Sequence, residues 1–158
     1  MAVESAEPMA IDLLTGLGVM VLCLVLQISI LAWTLLYYAQ YQNKLERSSF
    51  LFTILVLNGV MIVLVLGNLG QIAIWASLFL WLGEFERFSE AFYHSAVNFS
   101  TLGYGDIVMT QGRKLLGPLE SVNGILMVGI STAAFMTVLR DAISHSRREW
   151  MRTAQPER

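Results

Sequence analysis

Apolar residues dominate three long stretches of the chain, about Leu13–Tyr37, Phe50–Leu80 and Leu119–Leu139, with polar residues gathered between and beyond them. No Asp, Glu, Lys or Arg falls between Asp12 and Lys44 or from Ser48 to Gly83, and only Glu120 falls between Lys114 and Arg140. A helix crossing a hydrocarbon core about 30 Å thick needs about 20 such residues, so each stretch predicts a spanning helix. The second is longer than it needs to be. Phe50 to Leu82 makes about 50 Å of continuous helix, which predicts tilt, outward projection or a bend near Gly67 or Gly70, beside Asn68 and Gln71. The first stretch does not read as a secretory leader: Glu4 and Glu7 precede it in place of basic residues.

The pattern changes between the second and third stretches, in GEFERFSEAFYHSAVNFSTLGYGDIVMTQGRK. Ser89 is a candidate N-cap for a helix running to about Phe99, with Phe88, Phe92, Tyr93, Ala96 and Phe99 as its apolar stripe. Such a helix is about 18 Å long, half a membrane. Both its ends therefore lie on one side, making it re-entrant, and the returning loop is Thr101–Asp106. Irregular backbone at membrane depth is tolerated only where it is buried in protein or lines a watery path. Its carbonyls need a partner, and a permeating cation is one. Gly103 and Gly105 reach positive φ cheaply and let successive carbonyls face one way. Leu102 and Tyr104 are expected to turn back and brace the loop against the short helix, and Thr101 adds a hydroxyl. The partial negative charge at the helix end, Phe99, favours a cation there.

Composition supports the membrane reading: of 158 residues, 56% are hydrophobic and 14% charged, with a mean hydropathy of +0.61. A net charge of −2 offers no basic field for nucleic acid. Cys23 is the single cysteine, so no disulfide forms within a chain, and it reads as a packing or lipid-facing residue. Lys44, Arg47, Arg140, Arg147, Arg148, Arg152 and Arg158 fall where three passes place them on one side, which the positive-inside rule makes cytoplasmic. The N-terminus, with Glu4, Glu7 and Asp12, then faces outside. Trp33, Tyr37 and Tyr38 fit an inner aromatic belt, and Trp75, Trp81 and Phe85 an outer one. One chain supplies one loop and has no internal repeat, so enclosing an ion requires a closed ring of copies.

In that re-entrant setting, Thr101-Leu102-Gly103-Tyr104-Gly105-Asp106 resembles the selectivity-filter signature of potassium channels, and the likeness extends from about Phe50 to Asp141. The resemblance implies a homotetramer in membrane lipid. K+ would bind at oxygen rings of Thr101, Leu102, Gly103 and Tyr104, with Gly105 completing the filter, a scheme that belongs to that family. It implies no cofactor beyond the permeant ion. It implies a hinge at Gly129, in MVGISTAAF. Ile130, Ala133, Thr137 and Asp141 share one helical face, which by the resemblance lines an aqueous cavity. The expected architecture is an all-α membrane protein with three transmembrane helices, a re-entrant pore helix and a filter loop. Residues 1–47 form the tail, a peripheral first helix and a cytoplasmic loop, 48–141 the pore domain, and 142–158 a basic cytoplasmic tail.

Several positions depart from that pattern. Val97 stands where some potassium channels carry a glutamate that holds the filter aspartate, so Asp106 needs another partner or is hydrated. Tyr93 and His94 stand where many carry tryptophans. His94 either hydrogen-bonds Tyr104 or Asp106, making the filter pH-sensitive, or is a packed neutral histidine. Val108 takes the outer-mouth position from which an aromatic can face a cation. Glu120 is a headgroup-level charge or a filter-supporting acid facing Arg113 or Lys114. Asp141 concentrates cations at the inner mouth or pairs with a neighbouring arginine. Glu84, Glu86, Glu90 and Asp106 read as a solvated, mildly cation-attracting collar.

The first two helices carry no arginine ladder, which argues against a charged-helix voltage sensor. RDAISHSRREWMRTAQPER reads as a short basic helix at the lipid surface or extending the bundle, with His145 solvated. The first helix is expected to pack outside the second. No paired carboxylates, nucleophile–base pair or metal-ligand cluster points to an enzyme. Two alternatives to a potassium channel stay open: a weakly selective cation pore, and a non-conducting subunit of a larger channel.

Overall fold

In a computed structural model the chain is described over residues 6–45 and 50–154, with side chains over 10–40 and 51–144. His145 and the loop bearing Arg47 fall outside the described side chains. The described residues form four α-helices and no strand: α1 (Ala6–Leu45), α2 (Phe50–Trp81), α3 (Phe88–Phe99) and α4 (Leu116–Ala154), with one 3-10 turn over Gln111–Arg113. Three segments are long and apolar enough to cross a membrane, Ala10–Gln40, Leu51–Trp81 and Leu116–Ser144. This is an all-α membrane protein. Each long helix outruns the apolar stretch that announced it, because helical hydrogen bonding continues past the last residue that lipid would accept. α2 is continuous in hydrogen bonding through Gly67 and Gly70.

The chain divides into two compact units, one holding the chain up to Gln27 with Gly67–Gly129, the other Ile28–Leu66 with the chain from Ile130 onward. In the first, parts of all four helices meet around Cys23, Ile72, Trp75, Phe79, Ala91, Phe99, Leu116 and Met127. Trp75 is fully buried against Phe79, with ring centroids 5.9 Å apart, and Phe85 lies on Phe79 and His94. Neither belongs to an outer aromatic belt, whereas Trp81 is exposed. The second unit packs Tyr38, Val56, Val60, Leu64 and Val138. Tyr38 is buried and donates to Asp141 Oδ2 at 3.0 Å, so it too is no belt residue.

The first helix does more than lie outside the second. In the first unit Gly16 faces Leu116 and Leu119 of α4, and Cys23 lies beside Asn123 of α4 and Trp75 of α2. The buried positions of α1 are Asp12, Gly16, Cys23, Gln27, Thr34 and Tyr38, all small or polar except the tyrosine ring. They form two series, Asp12-Cys23-Thr34 and Gly16-Gln27-Tyr38, each with an interval of eleven residues, a repeat close to the helical period that keeps one stripe inward over many turns. Leu14, Val21, Val25, Trp33 and Leu36 cover the rest. In lipid, apolar contact does not distinguish a helix from a tail, so close approach of small residues and hydrogen bonds drive association. The Gln71 Nε2 donor, 2.7 Å from Gln27 Oε1, is such a bond.

Along α4 the buried positions Leu116, Gly117, Glu120, Asn123, Gly124 and Met127 recur at helical spacing. Gly124 is required by contact. A Cβ there would meet the Phe99 carbonyl group, 2.7 Å from its carbon and 2.9 Å from its Cα, and a main chain cannot swing aside. At Gly129, by contrast, a Cβ would meet nothing within 4 Å. Gly124→Ala is therefore expected to lower the melting temperature of the purified protein, by about 1–3 kcal/mol of stability or more, while Gly129→Ala changes it by less; equal melting curves for the two variants would contradict the close approach.

Candidate functional site

The site is built on α3, whose twelve residues match the length expected from the sequence. Its N-cap is Arg87, in extended conformation and without a side-chain cap bond; Ser89 lies inside the helix. Arg87 instead pairs with Glu90 one turn on. The buried face is Ala91, His94, Ser95, Val97 and Phe99, while Phe88 and Tyr93 are exposed. The expected apolar stripe is thus partly reversed, because the polar groups on this face have partners inside the unit.

At its C-terminus α3 closes on itself. Ser100 N–H donates to Ala96 O, Thr101 N–H to Asn98 O at 2.8 Å and Leu102 N–H to Val97 O at 3.0 Å. Val97 thus serves the loop through its carbonyl. The chain then leaves in an alternating conformation: φ is +61° at Thr101, +59° at Gly103 and +72° at Gly105. Thr101, with a branched Cβ, holds this region at a strain of about 1–2 kcal/mol that a glycine would not feel. Among the described residues no donor reaches the carbonyls of Thr101, Leu102, Gly103, Tyr104 or Gly105. Leu102 and Tyr104 are 58% and 67% exposed, so they do not brace the loop against the short helix of their own chain.

Asp106 does have a partner. Tyr93 donates its hydroxyl to Asp106 Oδ2 at 2.8 Å, and that bond to a carboxylate holds the phenol above its ordinary pKa. Of the two readings of His94, a bond to Tyr104 or Asp106 is not made, and the ring is packed. Its Nδ1 lies 3.0 Å from Ile107 O and its Nε2 2.9 Å from Asn98 Nδ2. An amide nitrogen only donates, so Nε2 accepts and Nδ1 carries the proton that reaches Ile107. The ring is neutral, with Phe79 and Phe85 against it at 5.6 and 5.0 Å. Burial among them lowers its pKa, outweighing the Ile107 bond and the charges of Asp106 and Glu84.

Two acids were misjudged from sequence. Glu84 is no solvated collar residue: its carboxylate accepts Thr110 N–H at 2.8 Å, Thr110 Oγ1 at 2.9 Å and Arg113 Nη1 at 3.4 Å, while Arg113 also donates to Leu82 O. This clamp ties the end of α2 to the chain after the loop. Glu120 is not paired with Arg113 or Lys114; it is fully buried and bonded to Ser95 of α3. The partners of Glu84 lie 26 and 29 residues away and that of Glu120 lies 25 away, beyond any local pattern. Ser121, whose hydroxyl donates to Asn98 O at 2.9 Å, was also missed.

The other residues singled out lie on α4. Gly129 closes the first unit, and Ile130, Ala133, Thr137 and Asp141 belong to the second, where Ala133 and Thr137 are exposed and Ile130 and Asp141 half-buried. Thr137 donates its hydroxyl to Ala133 O at 2.9 Å. Val108, after the loop, is 70% exposed. Among the described residues no group of three or more His, Cys, Asp or Glu is placed to hold a metal.

Residues 51–141, more than half of the chain, match a family model described as "Ion channel". Comparison with curated proteins and with solved structures gave no match.

The lowered pKa of His94 fixes a sign. The unfolded chain takes up a proton near 6.5 and the folded one only at lower pH. Stability from this group is complete above that value and is lost as pH falls through it toward the folded-state pKa. Melting temperature is expected to fall across that acid window and to fall less in His94→Gln; identical acid profiles would show that His94 is not the group responsible.

Proposed function

On the premise that the chain belongs to this ion-channel family, we propose that it conducts potassium passively through a pore built from four copies. One observation carries the reading: among the described residues no donor reaches the carbonyls of Thr101, Leu102, Gly103 and Tyr104. An unsatisfied main-chain acceptor at membrane depth costs several kcal/mol, and a partly dehydrated cation removes that cost. The alternating positive φ at Thr101, Gly103 and Gly105 supports successive oxygens facing one axis. The exposure of Leu102 and Tyr104 fits packing against neighbouring copies, since neither side chain is covered by its own chain.

In this reading α3 is re-entrant, entering from the outer side with its C-terminal end aimed at the membrane centre, where its dipole favours a cation. The N-terminus is outside and the C-terminus cytoplasmic, by the distribution of Lys and Arg. Asp106, held by Tyr93, together with neutral His94 and Val97 backs the filter. Gly129, Ile130, Ala133, Thr137 and Asp141 belong to the cavity and gate of the inner helix. The exposed faces of Ala133 and Thr137 suit a wide, hydroxyl-bearing vestibule. The carboxylate of Asp141 is shared with Tyr38, which weakens it as a free cation-concentrating charge.

Purified protein in liposomes is expected to pass potassium and to exclude sodium, with barium blocking; absence of flux, or a reversal potential indifferent to exchanging the two ions, would overturn the proposal. Gly103→Ala should abolish flux, since φ is +59° there. External tetraethylammonium is expected to block weakly and Val108→Tyr to strengthen the block, each ring-to-cation contact contributing about 0.5–2 kcal/mol; tight block of the unaltered protein would contradict the placement of Val108.

A further inference from the structure

The polar contact between α3 and α4 raises a question of hydrogen counting. Ser95 Oγ lies within bonding distance of two acceptors, Ile72 O at 2.8 Å and Glu120 Oε1. A serine hydroxyl has one hydrogen. If Glu120 were ionised, both its oxygen and the Ile72 carbonyl would only accept. The two contacts would then have to share that one hydrogen in a three-centre bond, weaker at each oxygen than a full one. Both are satisfied together in one arrangement: the carboxyl group donates to Ser95 Oγ, and Ser95 donates to Ile72 O.

The surroundings agree. Ser95 and Glu120 are each 0% exposed, as are Cys23, Trp75 and Asn123 nearby. The groups facing Glu120 are Ser95 and Asn98 of α3 and Cys23 of α1, none of them cationic. Of the described cations nearest in sequence, Lys114 is exposed and Arg113 is engaged by Glu84 and Leu82. An ionised carboxylate here would be a buried charge with only neutral groups as compensation, which proteins avoid by keeping the acid protonated.

We propose that Glu120 is held as a neutral carboxylic acid and positions the pore helix through a two-bond relay, from its own O–H to Ser95 and from Ser95 to the Ile72 carbonyl. The relay joins three elements, α4, α3 and α2, within the first unit. It contains no free charge near the conduction path and gives the short helix one fixed depth along the outer helix. Its effect on conduction rests on the channel reading above; its protonation state does not.

The experiment is infrared spectroscopy of the protein reconstituted in phosphatidylcholine membranes at neutral pH, comparing the unaltered chain with Glu120→Gln, followed by potassium flux on both and on Ser95→Ala. A protonated-carboxyl C=O band present in the unaltered protein and missing in Glu120→Gln is expected. Absence of such a difference overturns the proposal whether or not the protein conducts. Gln keeps a neutral donor in place, so flux should stay within about threefold, whereas Ser95→Ala cuts both bonds and should lower flux about tenfold or more. Loss of flux in Glu120→Gln as deep as in Ser95→Ala would show that a charge is needed and would also overturn it. An unaltered protein that passes no potassium counts against the channel reading and leaves the infrared result to decide the relay.

Discussion

A main-chain oxygen buried in a membrane must find a donor or a cation, and among the described residues five successive oxygens, from Thr101 to Gly105, find no donor. From Thr101 to Gly105 the chain can adopt neither helix nor sheet: its φ values alternate in sign, so neither ladder of hydrogen bonds can form. In water such a segment would be solvated at little cost. In hydrocarbon it is tolerated only against protein or an aqueous ion path. α3 turns the chain into this segment by re-using the Val97 and Asn98 carbonyls, and Leu102 and Tyr104 stand exposed beyond it.

A strained loop stays in place only if its surroundings are stiffer than it is. Here the stiffness is polar. Tyr93 holds Asp106, neutral His94 holds the Ile107 carbonyl, Ser95 ties α3 to α2 and α4, and the Glu84 clamp holds Thr110 and Arg113 after the loop. Each bond is worth about 1 kcal/mol on its own, comparable to the strain at Thr101, so several acting together decide the conformation where one would not. Gly124 adds a steric condition, since only a residue without a side chain lets α4 pass the end of α3.

The first helix is bound by the same means in both units. A polar bond holds it in each, Gln71 to Gln27 in one and Tyr38 to Asp141 in the other, and in the first unit Gly16 also approaches Leu119 closely. Within each unit α1 touches residues of α4 as well as α2, so it is an integral part of the helix packing rather than a peripheral addition. Lipid cannot compete for these contacts, because it offers neither hydrogen bonds nor the room that a glycine leaves.

Three apolar stretches, a twelve-residue helix too short to cross and a glycine-alternating loop were legible in the sequence, since each is a local property: hydropathy, length, or the φ preference of glycine. So was the likeness to an ion-channel family, which the match over residues 51–141 bears out. The partners were not. Ser89 looked like a cap and Glu84 like a solvated charge, Glu120 could be a headgroup charge or a filter-supporting acid, and His94 a filter hydrogen-bonder or a packed neutral histidine, because residue type gives donors and acceptors without saying what lies opposite. The stripe on α1 repeats visibly only once burial is known, its members being too mixed in chemistry to stand out. Which face of each helix is inward, which acid is paired and which glycine is compulsory were settled by tertiary packing, where groups distant in sequence come within the 3 Å or so over which a hydrogen bond acts.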